Sequence, residues 1–234
     1  MKRETLTIVL MAVASPLFGA SSSVYSQKLE DAQATYLTAD RFPIHADGKS
    51  DDSVAIQQAI DRVQETTGQG ILFIPSGQYR LTRTLFVWPG IRLIGYGPTR
   101  PVFVLADDTP GFQGGPAYMV FFAGSRPATL SPRPPTPGTV PLSFVPDASP
   151  GTFYSAISNI DFEIGKGDAG AVAVRFHSAQ HCFLAHMDFR LGSALAALYD
   201  VGNESEDLRF YGGQYGIITG RPSPGWQFTL IDSS

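Results

Sequence analysis

A four-residue pattern recurs in the second half of the chain, and its spacing limits the fold more than any other feature. Asn159-Ile160-Asp161-Phe162 aligns with His186-Met187-Asp188-Phe189 and with Asp207-Leu208-Arg209-Phe210. The three phenylalanines lie 27 and 21 residues apart. Periods of this size suit one coil of a β-solenoid per repeat. In each copy the second and fourth residues are apolar, so strand alternation turns them to one side and the third residue to the other. If successive coils keep phase, Phe162, Phe189 and Phe210 form an internal aromatic stack. Asp161, Asp188 and Arg209 then form an outward column.

The first half reads as a lead-in to such a solenoid. Ser50, Asp51 and Asp52 are N-cap candidates and first-turn acids for a helix. Val54, Ile56, Ala59, Ile60 and Val63 repeat at helical spacing, and Gly68 is a suitable stop. An amphipathic helix laid over the open end of a solenoid covers apolar side chains and unpaired edges. Short apolar runs follow at residues 71–74, 81–87, 91–94 and 102–105. Pro75-Ser76-Gly77, Pro89-Gly90 and Gly97-Pro98 punctuate them as turns. The proline-rich stretch 126–151 cannot pair as a central strand, so a long loop is expected there. It either walls a substrate groove or is a mobile insertion.

Composition narrows the class. With 234 residues, 43% hydrophobic and 16% charged, the chain can bury one large core. A net charge of −4 argues against a nucleic-acid partner, which calls for a basic surface. Lys2 and Arg3, the short apolar run 6–14 and the small residues 19–23 form a secretory signal pattern over residues 1–26. Cleavage is expected after Ser21 or after Ser26. The apolar run is too short to span a bilayer, so the expected product is secreted or periplasmic, with no stable membrane insertion once the signal is cut. Cys182 is the only cysteine, which excludes an internal disulfide; its apolar setting favours a buried small hydrophobe over a nucleophile.

Residues 46–53 read Ala-Asp-Gly-Lys-Ser-Asp-Asp-Ser, the helix follows, and residues 70–79 read Gly-Ile-Leu-Phe-Ile-Pro-Ser-Gly-Gln-Tyr. Two further apolar runs close on Gly95-Tyr96-Gly97. This order resembles the N-terminal entry of the pectate lyase-like superfamily, of the rhamnogalacturonase/epimerase type. The resemblance covers roughly residues 36–234 and implies an all-β solenoid: a right-handed parallel β-helix with an N-terminal capping α-helix, over residues 27–234. It also implies action on a polysaccharide. The chain stops within an apparent strand, 228–231, without a second capping element, so the β-helix is expected to be truncated at its C-terminus.

Hydrolysis of a polysaccharide needs two carboxylates, and elimination needs a base plus a cation that stabilises an enolate. The candidate catalytic acids are Asp161, Glu163 and Asp188. Asp161 and Glu163 share a strand face, and Asp188 stands one coil away, at about 5 Å, near the carboxyl spacing of retaining glycosidases. The competing reading is a solvated charge ladder of Asp161, Asp188 and Arg209. Arg209, Tyr211 and Trp226 are candidate substrate-binding residues, the aromatic faces suiting apolar sugar surface. His177, His181 and His186 lack metal-ligand spacing, and Asp47, Asp51 and Asp52 lack the pattern of a calcium loop, so no metal or cofactor is expected. The resemblance favours a glycoside hydrolase acting on an extracellular polysaccharide. The alternatives are a polysaccharide lyase and a non-catalytic glycan-binding or tailspike-like adhesive β-helix.

Overall fold

The computed structural model describes residues 21–127, 145–148, 152–220 and 228–234. After β1 (Thr35–Tyr36), β2 (Asp47–Asp51) and α1 (Ser53–Thr67), the chain winds into coils. The first holds β3 (Gly70–Pro75), β4 (Gln78–Leu81) and β5 (Leu85–Val87); the second holds β6 (Ile91–Tyr96), β7 (Val102–Leu105) and β8 (Ala117–Phe122). The third holds β9 (Ala156–Ser158), β10 (Asp161–Ile164) and β11 (Ala171–Arg175). In the fourth and fifth, one long strand replaces two short ones: β12 (Phe183–Arg190) with β13 (Ala196–Tyr199), then β14 (Glu204–Tyr211) with β15 (Tyr215–Ile218). β16 (Thr229–Ile231) pairs with β14.

All these pairings are parallel and join one coil to the next, which makes the fold a parallel β-helix. β12 and β14 run round the corner between two faces. At that corner Asn159, His186, Asp207 and Asp232 all take left-handed backbone, with φ between 47° and 60°. Gly95 precedes them in the same column, and a Cβ there would collide with the Asn159 carbonyl, so only glycine fits.

The phase read from the repeat holds. Phe162 pairs with Phe189 and Phe189 with Phe210. Their rings stack at centroid distances of 5.4 Å, with interplanar angles of 15° and 9°. Phe103 and Tyr79 extend the column edge-to-face through the two earlier coils. The other two faces bury aliphatic columns, Leu72–Leu93–Ile157–Leu184 and Leu85–Val120–Val174–Leu198.

α1 covers the first coil, burying Ile56, Ala59, Ile60 and Val63 against it. Ala55 is buried and Val54 only half so, a shift of the expected stripe. Asp52 is the N-cap residue, but its carboxylate turns back to the His45 and Ala46 N–H groups, and Asp51 instead accepts from Ser53. Gly68 ends the helix with φ 74°. The expected strand over 81–87 is two strands, because Thr82 turns the corner, its N–H and hydroxyl held by Ser53 and Asp51. Most of the 126–151 loop lies outside the described residues. Its flanks are pinned: Arg126 pairs with Asp61 and Glu65, and Asp147 bridges to Ala123. Cys182 is buried, and burial pushes its thiol pKa up.

The aromatic column sets a stability expectation. Phe189→Ala removes a fully buried ring that stacks on both sides, and should cost about 3–5 kcal/mol in denaturant unfolding. A loss below about 1 kcal/mol would show that the column relaxes rather than locks register.

Candidate functional site

Five of the six residues singled out in the sequence share the outer surface of one face. Across β4, β7, β10, β12 and β14, one outward column runs Gln78, Val102, Asp161, Asp188, Arg209. Its neighbour runs Arg80, Val104, Glu163, Arg190, Tyr211. Trp226 lies outside the described residues.

The column order is the expected one, but its environment is not. Asp161 is fully buried and Asp188 nearly so, where an outward ladder on a solenoid would be solvated. The cause is cover from two parts of the chain distant in sequence. Arg100, at the corner between β6 and β7, is 4% exposed and reaches Asp161 Oδ1 at 3.3 Å, Asp188 Oδ1 at 3.2 Å and Asp207 Oδ2 at 3.3 Å. Arg190 reaches Asp161 Oδ2 at 3.5 Å and Asp188 Oδ2 at 3.1 Å. Residues 21–25 then cross the face. The Ser21 hydroxyl donates to Asp188 at 2.8 Å, the Arg100 N–H donates to the Ser21 carbonyl, and Asn159 bonds both the Val24 N–H and the Ser23 hydroxyl. Asp207 also holds His186 Nδ1 at 3.0 Å and Arg209 at 3.0 Å. Glu163 and Arg209 stay exposed, and Tyr211, 44% exposed, lies under the Arg190 guanidinium.

A second polar centre sits on the face of β8, β11 and β13. Arg175 grips Asp147 through Nε at 2.9 Å and Nη2 at 2.6 Å, and reaches Asp200 at 2.9 Å. Its guanidinium also lies 5.3 Å from the Tyr199 ring and 5.5 Å from Tyr118. Burial works against the Arg175 charge, but the bonds and charge of Asp147 outweigh it and raise the pKa. His177 Nδ1 lies 3.1 Å from the same carboxylate. The three histidines weighed as ligands therefore go to separate places: His177 to Asp147, His186 to Asp207, and His181 to a stack on Tyr154. Among the described residues, no group of three or more His, Cys, Asp and Glu is placed to hold a metal ion.

Residues 38–232 match the family described as rhamnogalacturonase A/epimerase, pectate lyase-like. The chain belongs to this family. No curated protein matches it at a comparable level of significance. Among solved structures it is similar to an ι-carrageenase complexed with ι-carrageenan fragments, at 13% identity and TM-score 0.52, over 88% of this chain and 42% of that one. It is equally similar to a 1,3-α-1,4-β-D-galactose-4-sulfate-3,6-anhydro-D-galactose-2-sulfate 4 galactohydrolase, at 13% identity and TM-score 0.52, over 88% and 45%. A Geobacillus virus E2 protein, ORF18, matches at 18% identity and TM-score 0.40, over 78% and 36%. The chain thus spans less than half the length of these structures. The two matches at TM-score 0.52 show the β-helix fold alone.

On this pectate lyase-like scaffold the first network is electrically balanced, with three aspartates against Arg100, Arg190 and Arg209. Asp161 takes a backbone N–H from Asp188 as well as both arginines, so neither carboxylate is open to a glycosidic oxygen. Glu163 is the solvent-open acid of the three candidates. Sequence reading missed Arg100 because its partners lie 61, 88 and 107 residues away. Arg190 was within reach, two residues after Asp188 on the same face. The Arg175 centre had a weaker signal, one cation closing an otherwise apolar strand.

Arg100 is the cation that joins all three aspartates of this buried network, so its removal should weaken the network. Arg100→Met leaves Asp161 and Asp188 under-compensated, and should lower unfolding free energy by about 3–5 kcal/mol in denaturant titration. An unchanged midpoint would mean the network adds no stability.

Asp168 gives a separate pH signature. It is buried, Gln113 donates to its Oδ1, and its Oδ2 has no partner. Burial, followed by the charges of Asp108 and Asp107, pushes its pKa up to about 6. A raised carboxyl pKa means the folded state holds the proton more tightly than the unfolded chain. Its stabilising share is full below pH 4, fades as pH rises through about 6, and is absent above. Asp168→Asn should remove that slope and stabilise the protein at pH 7.5 by up to about 3 kcal/mol, read from melting at several pH values. A variant with the parent's pH slope would contradict this.

Proposed function

We propose that this protein is exported and acts on an extracellular polysaccharide as a glycoside hydrolase, with the outward face of β10, β12 and β14 engaging the glycan. The observation that carries the reading is the assembly on that face of Glu163, Arg209 and Tyr211, all exposed, within a pectate lyase-like family member. An acid, a cation and an aromatic face are the groups a sugar chain needs: proton transfer, hydrogen bonding to oxygens, and cover for its apolar side. Trp226 belongs to the same binding set in this reading. The carrageenan-bound β-helix is consistent support from the fold.

A second reading, a glycan-binding β-helix without cleavage on this face, is favoured by one observation. Asp161 and Asp188 are each tied to two arginines, which leaves Glu163 without an open carboxylate partner among the candidates.

Export rests on the signal pattern. The contacts of residues 22–25 favour cleavage after Ser21 over Ser26: the first cut gives up only the Ser21 bonds, those to Asp188 and Arg100 among them, whereas the second would also remove the Val24, Ser23 and Tyr25 hydrogen bonds to the coils.

Incubation with a panel of neutral and anionic polysaccharides separates the readings. Hydrolysis yields new reducing ends, elimination yields ultraviolet-absorbing unsaturated ends, and binding alone yields retention with unchanged chain length. Glu163→Gln should lower reducing-end release by about 10²–10⁴-fold. Tyr211→Ala should weaken retention about tenfold. Mass spectrometry of the exported product should read Ser22 as its first residue. The absence of both retention and cleavage across the whole panel would sink the proposal.

A further inference from the structure

One left-handed turn recurs on successive coils just ahead of β6, β9 and β12. Gly90, Tyr154 and His181 occupy it in register, each two residues before the paired positions Arg92, Ala156 and Phe183, with φ of 75°, 62° and 59°. Asn203 serves the turn before β14, with φ 66°. Glycine and asparagine suit this backbone and histidine is tolerated there; tyrosine occupies it at a cost. Burial does not repay that cost, because Tyr154 is 46% exposed and His181 is exposed too. The rings instead stack on each other in the open, 5.3 Å apart and 11° from parallel. Phe153, 36% exposed, adds a third ring 6.2 Å from Tyr154. Arg92 lies 6.0 Å from the Tyr154 ring and donates Nε–H to its carbonyl at 3.0 Å. Among the described residues no carboxylate pairs with Arg92, and its terminal nitrogens have no partner.

Strained backbone that holds exposed aromatic rings beside a cation with no carboxylate partner among the described residues points to a ligand site rather than to packing. We propose that Phe153, Tyr154, His181 and Arg92 form a subsite for an anionic sugar residue, carboxylated or sulfated. The rings cover the apolar face of the pyranose, and the terminal guanidinium nitrogens of Arg92 take the carboxylate or sulfate. The subsite rests on the polysaccharide reading above, but lies on the turns ahead of β9 and β12, apart from the Glu163, Arg209 and Tyr211 face.

Calorimetric titration of the full chain tests it, using oligogalacturonides and sulfated galactan oligosaccharides beside their methyl-esterified and desulfated counterparts. The wild type should bind at least one anionic form about tenfold more tightly than its neutral counterpart, and the tighter arm identifies the anion. Arg92→Met should abolish that preference. Tyr154→Asn should weaken binding about tenfold while leaving the melting temperature unchanged or raised, since asparagine suits the turn. A lowered melting temperature with unchanged affinity would make Tyr154 a packing residue and overturn the subsite. Equal affinity of the wild type for anionic and neutral forms would overturn it as well. Failure of the wild type to bind any oligosaccharide would defeat the polysaccharide reading itself. Normal wild-type binding with unaffected variants would defeat the subsite alone.

Discussion

Parallel hydrogen bonding between successive coils is the constraint on which the rest of this structure depends. It places equivalent residues of neighbouring coils about 4.8 Å apart and leaves no freedom to stagger them. A slip of one residue would turn every phenylalanine of the 79–210 column to the outside. The column therefore fixes register, and register fixes every outward neighbour. The interior tolerates few exceptions. Ser205 stands in the aliphatic column between Leu184 and Leu230, with its hydroxyl buried and unpartnered.

The same constraint creates an electrostatic problem outside. Coil stacking sets Asp161 directly beside Asp188, and like charges at that separation repel. The adjacent column supplies part of the counter-charge through Arg190, and that single cation faces two carboxylates. The corners supply the rest: Arg100 comes from the turn after β6, and the segment at 21–25 adds hydroxyl and backbone partners. The Arg175 centre solves the matching problem with Asp147, carried in from the long segment after β8. In both centres regular strands set out the charges and irregular chain completes their neutralisation, with Arg190 of β12 sharing that task in the first.

This division explains what the sequence made legible. Anything set by period could be read: the coil repeat, the phenylalanine stack, the capping helix, and the order of Asp161, Asp188 and Arg209. The corner within 81–87 was missed because its cause is Thr82 bonding to Ser53 and Asp51, a tertiary contact that leaves an apolar run looking continuous. The burial of Asp161 was missed for the same reason. Alternation says which way a side chain points, but not what distant chain will be laid over it. The open acid Glu163 and the exposed Tyr211 were readable because nothing distant covers them.

The two left-handed columns show how one backbone requirement can be put to different uses. At the corner of Asn159, His186, Asp207 and Asp232, the first three side chains are polar and turned to partners. Asn159 bonds the Gly95 carbonyl below it and Ser23 above the face, while Asp207 binds Arg100 and His186. Each such bond ties a coil to its neighbour or to the covering segment, so the residue that suits the turn also stabilises the stack. At the turn of Gly90, Tyr154 and His181 the side chains make no such hydrogen bond among the described residues, and glycine shows that the turn needs no side chain. A residue there is free of the register constraint that governs the faces. Coil stacking still delivers its ring in line with the ring of the next coil. Ordered spacing with freedom of residue type is the condition under which a solenoid can present a ligand surface without disturbing its core, and the left-handed turns meet that condition where the inward columns cannot.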